Sequence, residues 1–214
     1  MVSPKQIALS LLGGVVAILL GLHFWFASIL TGPVPEFTES GNHVEYYFAY
    51  GSNMSPQYLG LIRGVEVQWA APATLRDYTV EFGLAGLPPL EPSFANLRPE
   101  PGETALGVVY QLSKEGIDMI AGSEGEGYEW KKVTILTRDY KQLAAWTLVA
   151  IPEQPATELP SRRYLQIMQN AARHYDFPEE EIARLDPEQG AYIPVLSELM
   201  GIFIQTATWL AART

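Results

Sequence analysis

The sequence predicts an α+β fold, strands with flanking helices, preceded by an N-terminal transmembrane helix. Three observations carry that reading. The apolar and aromatic run Tyr47-Phe48-Ala49-Tyr50 stops at Gly51-Ser52-Asn53, and helix signals follow at once. Ala105 to Leu112 is almost continuously apolar, as in a strand buried on both faces. Residues 7–30 carry no charged side chain.

Length and composition bound the rest. The chain has 214 residues, of which 48% are hydrophobic and 18% charged. That is one folded domain with extras, not a disordered chain. A net charge of −10 without a basic run argues against a nucleic-acid partner, which needs clustered Lys and Arg. Cysteine is absent, so disulfides, thiol catalysis and thiolate metal sites are excluded.

Residues 1–6 form a short tail. As a helix, residues 7–30 reach ~36 Å at ~1.5 Å per residue, enough for a bilayer core of ~30 Å. A transmembrane anchor is the expected reading. The alternatives are a cleaved signal peptide, whose apolar region is usually ~7–15 residues, and a buried core helix. Lys5 before the span, with Glu36 and Glu39 after it, places the domain on the non-cytoplasmic side of a single-pass membrane protein. Residues 31–43 read as a linker rich in Gly and Pro.

The domain proper is expected over residues 44–190. Ser55 is placed to cap and Pro56 to open a short helix reaching Ile62. Val65 to Trp69 and Tyr78 to Phe82 read as strands. Gly83 to Pro92 reads as a surface loop over a site. Ser113 caps a helix Lys114 to Ala121, which breaks in the glycine-rich stretch Gly122 to Gly127. Strands follow at Trp130 to Thr137 and Ala144 to Ile151. Ser161 caps a helix reaching Tyr175, and Pro178 starts another. Residues 191–214 hold a last apolar helix, interrupted by Glu198 and too short to span. It is either a core or interface helix or one lying on a membrane surface.

Two places are suited to chemistry. A strand that ends in a tight glycine turn opening a helix leaves backbone N–H groups aimed at one spot. Gly51, Ser52 and Asn53 are therefore candidates for holding a polarised oxygen. The plain alternative is that Ser52 and Asn53 only cap the helix and Tyr50 is a core aromatic. Glu124 lies between glycines whose backbone can approach a ligand closely. Partial desolvation there would suit a general base, whereas a solvated acidic turn is the plain alternative. His23, His43 and His174 show no metal-ligand spacing, and no Ser lies in a nucleophile elbow.

Phe48-Ala49-Tyr50-Gly51-Ser52-Asn53-Met54 resembles the signature loop of the gamma-glutamylcyclotransferase-like family. Ser93 to Pro99, Gly107 to Tyr110, Ser123 to Gly125 and Pro160 to Leu165 are similar to family segments, in family order. The resemblance covers residues 44–185 and implies a small mixed sheet or barrel curled around a pocket. It implies an enzyme that cyclises a small γ-glutamyl compound to 5-oxoproline and releases an amine or amino acid, with no metal or cofactor. It places the catalytic carboxylate at Glu124, with Glu126 as a competing alignment. Substrate binding falls on Tyr50, Gly51, Ser52, Asn53 and Tyr128. Arg98 would pair a substrate carboxylate or form a structural salt bridge. Arg162 and Arg163 would be held by acidic partners or face the pocket. The rival reading is a membrane-tethered binding module with the same pocket and no turnover.

Overall fold

The computed structural model of the chain describes residues 4–31, 44–124, 127–151 and 159–213, with the backbone alone for 4–12, 26, 27, 29 and 31. Five strands close into a barrel: β1 (Val44–Ala49), β2 (Val67–Leu87), β3 (Glu91–Ser113), β4 (Tyr128–Thr137) and β5 (Gln142–Ala150), in the order β1-β3-β2-β4-β5. Four of the pairings are antiparallel. The barrel closes through β1 and β5, which run parallel with Tyr47 opposite Trp146. Side chains stitch that seam. Trp146 Nε1–H donates to Glu45 at 3.2 Å, the Thr147 hydroxyl donates to the Phe48 carbonyl at 2.8 Å, and the Tyr50 hydroxyl donates to the Leu148 carbonyl at 2.6 Å.

Strand β2 joins into one ladder what the sequence divides into two strands and a loop. Leu84 pairs with Phe94 and Ala85 with Ser93, so most of the expected loop 83–92 is hairpin. Register shifts between Val67 and Trp69, Arg76 and Tyr78, and Glu81 and Leu84 absorb the irregular residues. Bulges of this kind let a strand bend without ending. The barrel core is closed by Phe48, Leu97, Val108, Tyr110, Leu112 and Ile120, all fully buried. Each such aliphatic or aromatic side chain contributes about 1.5–3 kcal/mol.

The helices are α1 (Pro4–Thr31), α2 (Lys114–Ser123), α3 (Arg162–His174), α4 (Glu179–Arg184) and α5 (Leu196–Ala211). Ser113 caps α2 by accepting from Gly116 N–H, and Ser161 caps α3 by accepting from Tyr164 N–H. After β1 the chain makes a 3₁₀ turn, Ser52–Met54, then a π-helical turn, Tyr58–Ile62, with Ser55 Oγ accepting from Tyr58 N–H at 3.1 Å.

The N-terminal segment departs from expectation. No helix among the described residues is long and apolar enough to cross a membrane. This corrects the transmembrane anchor at 7–30, the single-pass membrane location and the membrane as a partner. The physical reason is what the helix touches. Leu19, Leu22 and Leu30 of α1 pack with Trp209 of α5 against a small second core of Tyr58, Ile62, Ile167 and Ile202. A run without charges reports apolarity but not which surface covers it. Of the expected linker, 31–43, Thr31 ends α1, and 32–43 lies outside the described residues.

Candidate active site

The turn that ends β1 opens onto a cavity of ≈ 330 Å³. Tyr50, Gly51, Ser52, Asn53, Glu124 and Tyr128 all line it, so the structure brings these six expected residues together. Gly51 is required by a close approach. A Cβ there would stand 2.6 Å from the Tyr164 hydroxyl, far inside contact distance. That hydroxyl in turn accepts from Ala95 N–H at 3.2 Å. The bend, the hairpin strand β3 and the first turn of α3 thus meet at one oxygen.

Glu124 stands directly after α2, its side chain 15% exposed. Arg63 Nη2 lies 2.7 Å from Glu124 Oε1, and Asn53 Nδ2 donates to the same oxygen at 2.9 Å. Asn53 also donates to the Tyr47 hydroxyl at 3.0 Å and accepts from Arg63 Nε at 2.7 Å. Arg63 Nη1 donates to the Ser123 hydroxyl, which itself donates to Met119 and Ile120 carbonyls. The Asn53 side chain therefore places its bonds on Tyr47, Arg63 and Glu124 and fastens the bend to the carboxylate. Burial opposes the Arg63 charge, but the charge and hydrogen bond of Glu124 together with the neighbouring Tyr58 and Tyr47 outweigh it, and the net shift is upward. Buried charges persist only when paired and hydrogen-bonded in this way.

The phenols around the floor stay protonated. Burial, then the nearby Glu124 charge, pushes Tyr47 well above its ordinary value. Burial likewise pushes Tyr164 up to about 12 and raises Tyr50 and Tyr128. Two of these hydroxyls serve the frame: Tyr50 is bonded to Leu148, and Tyr128 donates to the Ala95 carbonyl at 2.8 Å.

Other expected residues lie elsewhere. Arg98 is 40% exposed and pairs with Glu81 at 2.8 Å and with Glu100. It is a structural ion pair and does not line the cavity. Asn96 is buried and accepts from Ala150 N–H at 2.8 Å. Arg162 pairs with Glu188 at 3.0 Å, whereas Arg163 both pairs with Glu91 at 2.8 Å and lines the cavity. Glu126, the competing candidate, lies outside the described residues.

Arg63, Tyr47, Tyr58, Leu84, Ile204 and Thr208 also line the cavity, and none was identified from the sequence. Arg63 had a signal. It is the only charged side chain between Glu45 and Glu66, and a lone cation in an apolar stretch needs a buried anion. Ile204 and Thr208 had none, because they arrive on α5 from the far end of the chain. Among the described residues no group of three or more His, Asp or Glu side chains is placed to hold a metal ion.

Residues 47–166 match the family model described as gamma-glutamyl cyclotransferase, AIG2-like. The chain belongs to that family. A gamma-glutamyl cyclotransferase, aclK, of Aspergillus oryzae is 28% identical over 183 residues, covering 75% of this chain and 67% of that protein. A solved structure of a gamma-glutamyl cyclotransferase superposes with a TM-score of 0.60 at 24% identity, covering 77% of this chain and 99% of the other. An uncharacterized protein from Homo sapiens gives 0.63 at 25% identity over the same shares. The protein is thus an enzyme of the gamma-glutamylcyclotransferase type. The matched span holds the bend, Arg63 and Glu124, while α5, with Ile204 and Thr208, falls beyond it.

Proposed function

We propose that the enzyme cyclises a small γ-glutamyl compound to 5-oxoproline, releasing the attached amine or amino acid, with Glu124 as the proton carrier. The observation that supports this is the Glu124 carboxylate facing the Gly51–Asn53 bend within one cavity, tied to it through Asn53. Arg63 and Asn53 both hold Oε1. Oε2 then takes a proton from the substrate's α-ammonium. The freed amine attacks its own γ-carbonyl carbon, a carbon–nitrogen bond forms, and the carbonyl electron pair moves onto oxygen. N–H donors at the bend stabilise that oxyanion. Collapse breaks the bond to the leaving nitrogen, which takes the proton back from Glu124. The remaining excess proton of the ring nitrogen passes to the released amine. Both reacting groups belong to one molecule, so folding the substrate into shape supplies much of the rate.

The test uses the full chain with γ-glutamyl amino acids, γ-glutamylamines and glutathione, scoring 5-oxoproline. Glu124→Gln is expected to lower turnover by about 10²–10⁴-fold, with an unchanged circular dichroism spectrum. If Glu124→Gln keeps its activity and Glu126→Gln loses it, the base is the later glutamate. If no substrate yields 5-oxoproline, the cyclisation reading fails.

A further inference from the structure

A second cleft of ≈ 270 Å³ lies between α1, α3 and α5, and Arg163 lines both it and the catalytic cavity. Three charged side chains on its walls carry a buried polar atom with no partner among the described residues: Arg162 Nε, Arg163 Nη1 and Glu198 Oε2. An unpaired buried polar group costs about 1–3 kcal/mol, more when charged. Three such atoms among the residues of one small cleft are a large expense to carry without a ligand.

Each of the three side chains is fixed by its other atoms. Arg163 Nε donates to Glu91 at 2.8 Å, and Glu91 is held in turn by the Ser161 hydroxyl at 2.7 Å. Arg162 donates from Nη2 to Glu188 at 3.0 Å, and its guanidinium stacks over the Tyr192 ring at 4.4 Å. Glu198 Oε1 accepts from the Tyr192 hydroxyl at 2.5 Å. Gly201 lets α5 come this close, since a Cβ there would stand 2.9 Å from Arg163 Cδ. The groups are therefore pre-set rather than loose, which lowers the ordering cost of binding.

The chemistry of the unpaired atoms names the occupant. Two are N–H donors on cations and suit a carboxylate. The third is a carboxylate oxygen and suits an ammonium. Leu30, Ile167 and Ile202 supply an apolar wall beside them. The volume lies just under the range of ~300–1,000 Å³ usual for drug-sized ligands, so the occupant is small. We propose that this cleft is a second binding site, for a free apolar α-amino acid: its carboxylate on Arg162 and Arg163, its ammonium on Glu198, its side chain on the isoleucines. Water is the competing occupant, and the apolar wall of Leu30, Ile167 and Ile202 is what sets an amino acid apart from it.

Equilibrium dialysis of labelled leucine against the full chain tests this, with leucinamide and N-acetyl-leucine as unlabelled competitors. Leucine should bind at millimolar concentration or below. Leucinamide, lacking the carboxylate, and N-acetyl-leucine, lacking the ammonium, should each compete about tenfold or more weakly than unlabelled leucine. Glu198→Gln should weaken leucine binding by a similar factor, whereas Glu124→Gln should leave it unchanged. The competitor series on the wild-type chain stands even if Glu198→Gln does not fold. No retained leucine at millimolar concentration would overturn the proposal and leave water as the partner of the three atoms. Binding that survives Glu198→Gln but is lost in Gly51→Val would also overturn it, by placing the amino acid in the catalytic cavity.

Discussion

At the floor of the catalytic cavity, Arg63 directs its donors to Glu124, Asn53 and Ser123. In the neighbouring cleft, Arg162 and Arg163 each keep one buried N–H unpaired. Both regions use buried guanidinium and carboxylate groups, yet only the floor is closed on itself. A closed network fixes a geometry before substrate arrives, as a proton carrier requires. An open one holds geometry and leaves capacity for a ligand. The two regions also rest on different cores. The floor stands on the barrel interior, and the cleft on the small cluster of Tyr58, Ile62, Ile167 and Ile202.

Breaking the floor should have the largest effect. Arg63→Met strands the Glu124 carboxylate and is expected to cost about 3–5 kcal/mol of stability, read by urea unfolding. A loss under ~1 kcal/mol would mean that the floor is no more tightly bound than the cleft. Next comes the contrast of cores. Leu97→Ala, at a fully buried barrel position, should fall near the upper end of the about 2–5 kcal/mol range for such truncations, and Ile202→Ala in the small cluster near its lower end. Equal losses would erase the distinction.

A smaller effect sharpens the picture at the bend. Tyr164→Phe removes the acceptor of Ala95 N–H and should cost about 0.5–1.5 kcal/mol. It also changes the alkaline limb. The folded-state value for Tyr164 is raised from 10.0 to about 12. Its contribution is therefore fully present below pH 10 and is lost as pH rises towards 12, because the unfolded chain releases that proton first. Thermal melts on either side of pH 10 should show a shallower decline in the Phe variant. The smallest effect is expected on the outer face of α1. Ile18 is 64% exposed, and Ile18→Ser should shift stability within about ±0.5 kcal/mol.

Local chemistry was legible in the sequence, and distant company was not. The caps at Ser113 and Ser161 were read from neighbours a few residues away, and the structure shows both hydrogen bonds. The end of β1 and its glycine bend were legible for the same reason. The ladder of β2 and β3 was read as fragments, because glycine and proline mark turns and bulges alike. Arg98 was legible as an arginine needing an anion, but not as one that finds Glu81 and Glu100 on its own hairpin. The α1 segment was misread because hydropathy does not say whether lipid or protein lies against Leu19 and Leu22. Ile204 and Thr208 reach the cavity through tertiary packing alone.

The barrel's parallel closure has a consequence for how the enzyme can be altered. Elsewhere, neighbouring strands are zipped by main-chain bonds that almost any residue supplies. Where the first and last strands meet, an indole, a threonine hydroxyl and a phenol act as the rivets. The short main-chain pairing of that seam is therefore reinforced by three replaceable residues. Removing them one at a time would turn the wall beside the reaction chamber into an adjustable hinge.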